Sequence, residues 1–334
     1  MVIGFVKKFA LAVSLLAASA SMAGATAWDD YKAKYLAQDG AIIDTGNGNM
    51  SHTEGQSYGL TFALAYNDKE AFARILKWTD DNLADPVSGL YCWAYRRDGG
   101  DPVADKNNAT DGDLMIAWAL LKAGQKWHVK EYTKKAEKLA NAISALTVTK
   151  FGGYNVILPG ANAFFYNSYI IVNPSYYIYP ALTALAQQTY QKLWKDVNAD
   201  GKKLLSNLQG QTLMVSPDWV KLLISGENMP AEQWPPRFSY DAIRVPLYLY
   251  WDDPNCKELI PYRKLWSGYS EFQTPAWFSV VGPQKADYMM SSGLKAVRDL
   301  VMGKPLGEPD IKKSEDYYNA SLHMLAYMAY RDHH

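Results

Sequence analysis

The feature that most constrains the fold is the spacing of apolar residues, which recur at helical intervals along most of the chain. The segments with this pattern are 58–66, 71–83, 114–121, 132–146, 177–193, 204–213, 243–250, 294–302 and 318–330. Such spacing puts apolar side chains on one face of an α-helix. The alternation of apolar and polar residues that indicates strands is nearly absent. The sequence therefore predicts an all-α protein.

The predicted helix starts are also regularly spaced. They fall near Glu54, Asp111, Pro174, Asp241 and Ser314, at intervals of 57, 63, 67 and 73 residues. Each interval holds two helices and their loops, and consecutive helical hairpins can close into a ring with the N-termini of the inner helices on one rim. The spacing fixes neither closure nor the number of hairpins, because residues 266–293 have no clear pattern. No linker interrupts the chain, which predicts a single domain over residues 28–334.

Charge and composition argue against several classes of function. The 34 basic and 34 acidic residues cancel, so no basic surface is expected to bind nucleic acid or an anionic membrane. His52, His128 and His323 form no HExxH motif, and Cys92 and Cys256 form no CxxC motif, so no metal site is expected. Whether the two cysteines form a disulfide stays open. The 11 Trp, 24 Tyr and 10 Phe favour an uncharged substrate that stacks on aromatic rings.

Residues 1–27 have the pattern of a secretory signal peptide. Lys7 and Lys8 precede an apolar run over 9–18, and small residues follow up to Ala27. The run is too short to span a bilayer, so no stable membrane insertion is expected. Cleavage after Ala27 or Ala23 would release a secreted or periplasmic domain.

Glu54 is the first of three informative carboxylates. The spacing Ser51-x-x-Glu54 predicts a capping box, and the pattern alone favours that structural role. Gly55 and Gly59 each cost up to about 1 kcal/mol relative to Ala in a helix, which indicates close backbone approach or a ligand. Tyr58, one turn after Glu54, can desolvate the carboxyl group and favour its protonated form, whereas the helix dipole favours the carboxylate. The sequence leaves this balance open.

The second carboxylate, Asp111, precedes an apolar helix and stands next to a glycine. Thr110 and Asp113 form another candidate cap, so Asp113 is expected to be structural. For Asp111, a structural role and a position facing the rim both stay open.

The third carboxylate, Asp241, has Trp234, Phe238 and Tyr240 around it in the sequence. Ser239 is the predicted cap, with Asp241 in the first helical turn. An ion pair of Asp241 with Arg244 would contribute only about 0.2–0.5 kcal/mol on an exposed helix face, which explains little of this aromatic context. One Glu and one Asp from separate helices, among rings, is the arrangement that glycoside hydrolysis uses.

Aromatic side chains complete this pattern, because sugar rings stack on Trp and Tyr. Trp93 is one candidate for such stacking, although core packing is the more common explanation for any single aromatic residue. Only the set of aromatics supports a sugar-binding groove.

Four motifs, taken in order, resemble glycoside hydrolase family 8. They are Ser51-x-x-Glu54-Gly-Gln-x-Tyr-Gly59, Ala109-Thr-Asp-Gly-Asp113, Asn173-Pro-Ser-Tyr176 and Ser239-Tyr-Asp-Ala-x-Arg244. Within that family the likeness is to the endoglucanases that accompany bacterial cellulose synthase. The resemblance implies an (α/α)6 barrel and inverting hydrolysis of internal β-1,4-glucosidic bonds, without a metal or an organic cofactor.

The resemblance also implies roles for individual residues. Glu54 would be the general acid, Asp241 the general base, and Asp111 the residue that binds the distorted sugar next to the cleaved bond. The remaining expected substrate-binding residues are Tyr58, Trp93, Tyr176, Tyr240 and Arg244. Thr53 and Ser57 depart from the family, in which Ser and Gly are commoner at these positions. Inversion needs a water between the two carboxyl groups, which predicts a separation of about 6.5–9.5 Å.

Two alternatives stay open. In the first, the chain is a non-catalytic glucan-binding protein that guides a nascent polysaccharide. In the second, an enzyme of the same fold hydrolyses xylan, chitosan or mixed-linkage glucan, or cleaves its substrate as a lyase. The expected ligand is cellulose or a cello-oligosaccharide. A functional link to a cellulose synthase complex follows from the resemblance alone, and we expect a monomer.

Overall fold

The computed structural model describes residues 25–98, 100–189 and 192–334. The helices in these ranges are α1 (Ala27–Tyr35), α2 (Thr53–Ala65), α3 (Lys69–Leu83), α4 (Thr110–Trp127), α5 (Lys130–Leu146), α6 (Tyr179–Thr189), α7 (Lys192–Ser206), α8 (Arg244–Asp252), α9 (Ile260–Ser267), α10 (Ser292–Val301) and α11 (Tyr317–Arg331). Among them, none has both the length and the apolar character needed to cross a bilayer.

Six of these helices form a closed inner ring. Helix α2 packs against α4, α4 against α6, α6 against α8, α8 against α10, α10 against α11, and α11 returns to α2. Helices α3, α5 and α7 pack outside α2, α4 and α6 respectively. This ring confirms the predicted all-α (α/α)6 barrel.

Burial separates the inner helices from the outer ones. Every residue of α4 from Thr110 to Leu121 is buried, so this helix is enclosed on all sides. Helix α5 buries only Ala136, Leu139, Ala140 and Ile143, a single stripe with helical spacing. A helix that is apolar all round belongs inside, and one with a single apolar stripe belongs at the surface.

Short strands occupy the loops between the helices. They are β1 (Ser51–His52), β2 (Ala94–Tyr95), β3 (Val148–Phe151), β4 (Tyr154–Ile157), β5 (Tyr169–Val172), β6 (Val220–Leu223), β7 (Asn228–Pro230), β8 (Arg237–Phe238) and β9 (Phe278–Ser279). The antiparallel pairs are β1–β2, β3–β4, β5–β6, β6–β7 and β8–β9. Two of these pairs fix segments that lead into the functional site: β1–β2 ahead of Glu54, and β8–β9 ahead of Asp241.

Two helix predictions need correction. Segment 177–193 is divided between α6 and α7, and the link between them lies outside the described residues. Segment 204–213 is helical only as far as Ser206. Beyond it, the N–H of Gln209 donates to the carbonyl of Asn228 in β7 (2.9 Å), and Gly210 has a φ of +68° that an α-helix does not accept. Cys92 and Cys256, whose pairing the sequence left open, are buried free thiols.

Most of the predicted signal peptide, residues 1–24, lies outside the described residues. Thr26 closes the start of α1 with a capping box, in which its Oγ1 accepts the N–H of Asp29 at 3.2 Å. The N–H of Ala27 donates to Glu308 Oε1 at 3.0 Å. Cleavage after Ala27 would remove this cap, whereas cleavage after Ala23 would leave it in place.

Candidate active site

Glu54 lies in the first turn of α2, and a histidine caps that helix. His52 Nδ1 accepts the N–H of Gly55 at 3.0 Å, which assigns the ring proton to Nε2, 3.2 Å from Asp44 Oδ2. Ser51 is held in β1, and its buried hydroxyl has no hydrogen-bond partner. The predicted capping box of Ser51 with Glu54 is therefore wrong, because strand pairing keeps Ser51 away from the helix terminus. The Glu54 side chain is left to face the cleft.

The two glycines that follow Glu54 permit close packing. A Cβ atom at Gly55 would lie 2.8 Å from Tyr317 Oη, and one at Gly59 would lie 2.8 Å from the side chain of Ile42. Both distances are shorter than real Cβ contacts. Of the two explanations that the sequence left open, close approach is the one observed.

A third glycine brings the second carboxylate to the first. Gly112, in the first turn of α4, packs so closely on Thr53 that an added Cβ would overlap the Thr53 Oγ1 and Cβ atoms. The start of α4 therefore packs directly on the Thr53 side chain at the start of α2, because Gly112 has no side chain of its own. This contact places Asp111 beside Glu54 in the cleft.

Asp113 faces away from the cleft and has a structural role, as predicted. Its Oδ1 accepts the N–H of Tyr91 at 3.1 Å and its Oδ2 accepts Asn108 Nδ2 at 2.9 Å. It does not form the predicted cap with Thr110, because α4 begins after Ala109 with no side-chain cap. Its carboxyl group instead fastens the loop before the helix.

Asp241 lies in the turn before α8 and not in the first turn of that helix, which begins at Arg244. Ser239 is not the cap that was predicted. Its N–H and hydroxyl donate to the carboxyl group of Asp218, which also accepts the N–H of Ala242 at 2.8 Å. Asp218 therefore fixes the turn that carries Asp241, and burial raises the pKa of Asp218 to about 6.

Arg244 links two of the three carboxylates, Glu54 and Asp241. Its Nη1 donates to Glu54, and its Nη2 donates to Asp241 Oδ1 at 2.8 Å and to Ser175 Oγ at 3.0 Å. The guanidinium is buried, so water screens these charges little. The ion pair of Arg244 with Asp241 is therefore not an exposed surface contact but part of a bridge, centred on a buried cation, between α2 and the turn before α8.

The three carboxylates and Arg244 line one cleft of about 650 Å³. Its walls include seven of the eight predicted site residues: Glu54, Trp93, Asp111, Tyr176, Tyr240, Asp241 and Arg244. Tyr58 is the exception, because it is buried in the barrel and is not among the lining residues. Its phenol group is nevertheless close enough to Glu54 for that charge to raise the pKa of Tyr58, after the larger effect of burial.

Two further side chains that sequence reasoning missed face the Asp241 carboxyl group. They are Asn173 and Trp219, whose side chains approach that carboxyl group and lower the pKa of Asp241. Asn173 stands at the start of the quoted Asn-Pro-Ser-Tyr motif, which was a usable signal. Trp219 directly follows Asp218, and an aromatic residue beside an acid was the only signal there.

The rim of the cleft includes three more residues that the sequence did not single out. They are Asp44, Asp316 and Tyr318. The Tyr318 hydroxyl donates to the carbonyl of Tyr240, which joins α11 to the turn before Asp241. Asp316 caps α11 by accepting the N–H of Asn319 at 2.8 Å.

The electrostatics of the cleft favour proton exchange near neutral pH. Burial, followed by the charge of Glu54, raises the pKa of Asp111 to about 7. Burial also raises the pKa of Asp241, against the opposing effect of Arg244. Carboxyl groups in such different surroundings can serve as a proton donor and a proton acceptor. Among the described residues, no cluster of three or more His, Cys, Asp or Glu side chains has the geometry of a metal site.

Comparison with known proteins gives consistent matches. Residues 3–333 match the family model described as "Glycosyl hydrolases family 8". An endoglucanase of Cellulomonas uda is 44% identical over 281 residues, which cover 84% of this chain and 78% of the relative. A probable endoglucanase of Novacetimonas hansenii is 37% identical over 307 residues, with coverage of 90% and 89%. The crystal structure of endoglucanase Cel10, a family 8 glycosyl hydrolase from Klebsiella pneumoniae, matches with a TM-score of 0.91 and 44% identity, covering 92% of this chain and 99% of that chain.

Proposed function

Because the chain belongs to glycosyl hydrolase family 8, we propose that it is an inverting endo-β-1,4-glucanase that cleaves internal bonds of cellulose or soluble β-glucan. The observation that carries this proposal is the pair Glu54 and Asp241, which come from the first turn of α2 and the turn before α8 and are joined through Arg244 in one aromatic-lined cleft. The relatives described above are named endoglucanases, which supports β-1,4-glucan as the substrate.

The mechanism follows from the placement of the side chains. Glu54, in its protonated form, donates its proton to the glycosidic oxygen. Asp241 takes a proton from a water that attacks the anomeric carbon on the opposite face of the sugar. Arg244 holds both carboxyl groups in position, and its charge favours the ionised form of Asp241.

Asp111 and the aromatic residues bind the sugar. Because the pKa of Asp111 is raised to about 7, its carboxyl group can donate a hydrogen bond to a hydroxyl group at mildly acidic pH. Tyr176, Tyr240 and Trp93 offer ring faces to the apolar sides of the neighbouring glucose units. These contacts would hold the sugar at the cleavage point in the distorted form that precedes the transition state.

Cellular placement belongs to the same proposal. The N-terminal pattern supports export to the periplasm or the medium, with cleavage after Ala23 because Thr26 caps α1 in the folded domain. The mature chain acts as a monomer, and the resemblance to endoglucanases that accompany cellulose synthase supports a role in cellulose production.

Replacing the acid tests the proposal against a glucan-binding function. Glu54→Gln removes the transferable proton and keeps the shape of the side chain. We expect release of reducing ends from carboxymethylcellulose to fall by about 10³-fold, while the Kd for cellohexaose, measured by calorimetry, changes by no more than a few fold.

Glu70→Gln is the matched control, because it makes the same chemical change at an exposed position on α3. It should keep full activity. Undiminished activity of Glu54→Gln would contradict the assignment of the acid. A wild-type protein that binds cellohexaose but releases no chain ends would be a glucan-binding protein.

A further inference from the structure

Asp241 has hydrogen-bond donors on more than one side. Arg244 Nη2 donates to its Oδ1 at 2.8 Å. The side chains of Asn173 and Trp219 approach the same carboxyl group and stabilise its charged form. A general base needs its proton-accepting form, and donors around the carboxylate favour that form.

The sheet of β5 and β6 explains why Asn173 and Trp219 arrive together. Val172, the last residue of β5, is paired with Val220, the first residue of β6. The residues one step beyond this antiparallel pair are Asn173 and Trp219, so they lie side by side at the end of the ladder. Because both side chains act on Asp241, this end of the sheet lies beside that residue.

Asn173 is fully buried, and its two polar atoms have different partners. Its Oδ1 accepts the N–H of Ser175 at 3.0 Å and the Ser175 hydroxyl at 2.8 Å. Ser175 Oγ in turn accepts Arg244 Nη2, so Asn173 is tied to the cation that holds Asp241. Its Nδ2 makes no hydrogen bond of ordinary geometry with the protein. A buried donor without a partner is costly, which indicates a role at the carboxyl group that it faces.

Trp219 is held by its neighbours on both sides. Its ring stacks on Trp234, with centroids 4.4 Å apart and planes 12° apart, and on Phe164, with centroids 6.0 Å apart and planes 10° apart. This three-ring stack restricts the indole to one orientation. The stack therefore fixes the direction of the Nε1–H donor.

We propose that Asn173 and Trp219 are positioning residues for the general base, donating Nδ2–H and Nε1–H to the Asp241 carboxyl group so that it stays ionised and correctly oriented. This inference rests on the proposed hydrolysis. It adds an unassigned function to the sheet of β5 and β6, which would otherwise be a structural covering of the barrel.

Other charged groups also act on Asp241, and most oppose ionisation. Burial is the largest influence that raises its pKa, and Glu54 raises it further, whereas Arg244 lowers it. The titratable and charged groups that interact with Asp241 are Glu54 on α2, Asp111 on α4, Tyr176, Asp218, Arg244 on α8 and Tyr318 on α11. Since three of these six, Glu54, Asp111 and Asp218, are carboxyl groups whose charge disfavours a second negative charge nearby, the neutral donors matter to the balance.

The pH dependence of kcat/KM tests the proposal. Its rise on the acidic side reports ionisation of the base in the free enzyme. Trp219→Phe keeps a ring in the stack and removes the donor. Asn173→Ala removes the donor without adding a charge beside Asp241. In each variant this rise of kcat/KM with pH, the acidic limb of the profile, should move to higher pH by about one unit. The shift amounts to about a tenfold loss of kcat/KM at pH values below the limb and little loss above it.

Trp234→Phe is the matched control, because it alters the same stack without removing a donor from Asp241. Its acidic limb should coincide with that of the wild type. Unchanged acidic limbs in Trp219→Phe and Asn173→Ala, with kcat/KM lowered equally at every pH, would reduce both residues to packing roles and overturn the inference. Hydrolysis by the wild type and its loss in Asp241→Asn test the proposed function separately. A wild type without hydrolysis would overturn both.

Discussion

At the residue scale, Asp111 and Asp113 show how two neighbouring acids acquire different functions. Asp111 faces the cleft, whereas Asp113 accepts hydrogen bonds from Tyr91 and Asn108 within the protein. Burial raises the pKa of Asp111 to about 7 and that of Asp113 to about 8. Only the first of these carboxyl groups can meet a substrate, so the second should affect stability alone.

The raised pKa of Asp113 predicts how the free energy of unfolding depends on pH. An aspartate in the unfolded chain has a pKa near 3.9, so between about pH 4 and 8 the native state holds a proton that the unfolded chain releases. The free energy of unfolding should therefore fall as pH rises through this window. Asp113→Asn, which is neutral at every pH and can still accept the Tyr91 N–H, should flatten the decline by up to about 1.4 kcal/mol per pH unit.

Urea unfolding at pH 5, 6, 7 and 8 measures this effect. Asp101→Asn is the control, because hydrogen bonding lowers the pKa of exposed Asp101 and it stays ionised across the window in both states. Equal slopes in Asp113→Asn and the wild type would mean that Asp113 is ionised in the native protein.

Single residues were predictable from sequence where the local pattern carried the chemistry. Glu54, Asp111 and Asp241 each stand at or just before the start of an apolar helix, beside glycine or aromatic residues, and all three reach the cleft. Asn173 and Trp219 were not predictable, because their relation to Asp241 arises from the register of β5 on β6. Tyr58 was expected at the substrate because helical spacing places it over Glu54, but the barrel encloses it.

At the element scale, the contact between α2 and α4 determines the geometry of two carboxylates. Gly112→Ala should destabilise the protein by about 1–3 kcal/mol, because the added methyl group overlaps Thr53. Helix propensity alone predicts the opposite, a gain of up to about 1 kcal/mol. The displaced turn should also lower kcat by at least about tenfold, since small misplacements of catalytic groups are costly.

Chemical denaturation and steady-state kinetics check both effects. Gly307→Ala is the matched control, since an added Cβ there meets no atom within 4 Å. It should leave the stability and kcat unchanged. A Gly112→Ala variant as stable and active as the Gly307→Ala variant would show that the first turns of α2 and α4 do not need this close contact.

Helices were predictable from the sequence and strands were not, for a physical reason. The apolar stripe of an outer helix such as α5 extends over several turns, which is enough to detect a period. The strands contain only two to four residues, which is too short for an alternating pattern. The start of α8 also depended on a distant partner, because Asp218 fixes the turn before that helix.

At the scale of the whole molecule, the barrel brings the starts of its inner helices to one rim. Residues at or just before the starts of α2, α4, α8 and α11 line the cleft. The opposite end has a cavity of about 530 Å³ where these helices finish. Among its described lining residues, Asp332 is the sole carboxylate, and Trp251 Nε1 and Lys122 Nζ bind it. Of these two cavities, the cleft is therefore the one lined by paired carboxyl groups, which hydrolysis requires.

The number of inner helices could not be predicted from hairpin spacing. Helices α10 and α11 are both inner helices whose N-termini lie side by side, since the Ser291 hydroxyl and the Gly293 N–H donate to Asn319 Oδ1. The segment that returns the chain between them, residues 302–316, contains only a short 3-10 turn at Ile311–Lys313. The interval from Asp241 to Ser314 therefore holds α8, α9 and α10, and a count of one inner helix per predicted start misses α10.

The stereochemistry of the product tests the central claim most directly, namely that Glu54 and Asp241 catalyse inverting hydrolysis of β-1,4-glucan. A proton NMR time course on a soluble cello-oligosaccharide reads the anomeric configuration before mutarotation. Inversion through a water held by Asp241 predicts that the new reducing ends appear first in the α configuration. New ends in the β configuration would contradict the account, because retention requires a covalent intermediate on one carboxylate.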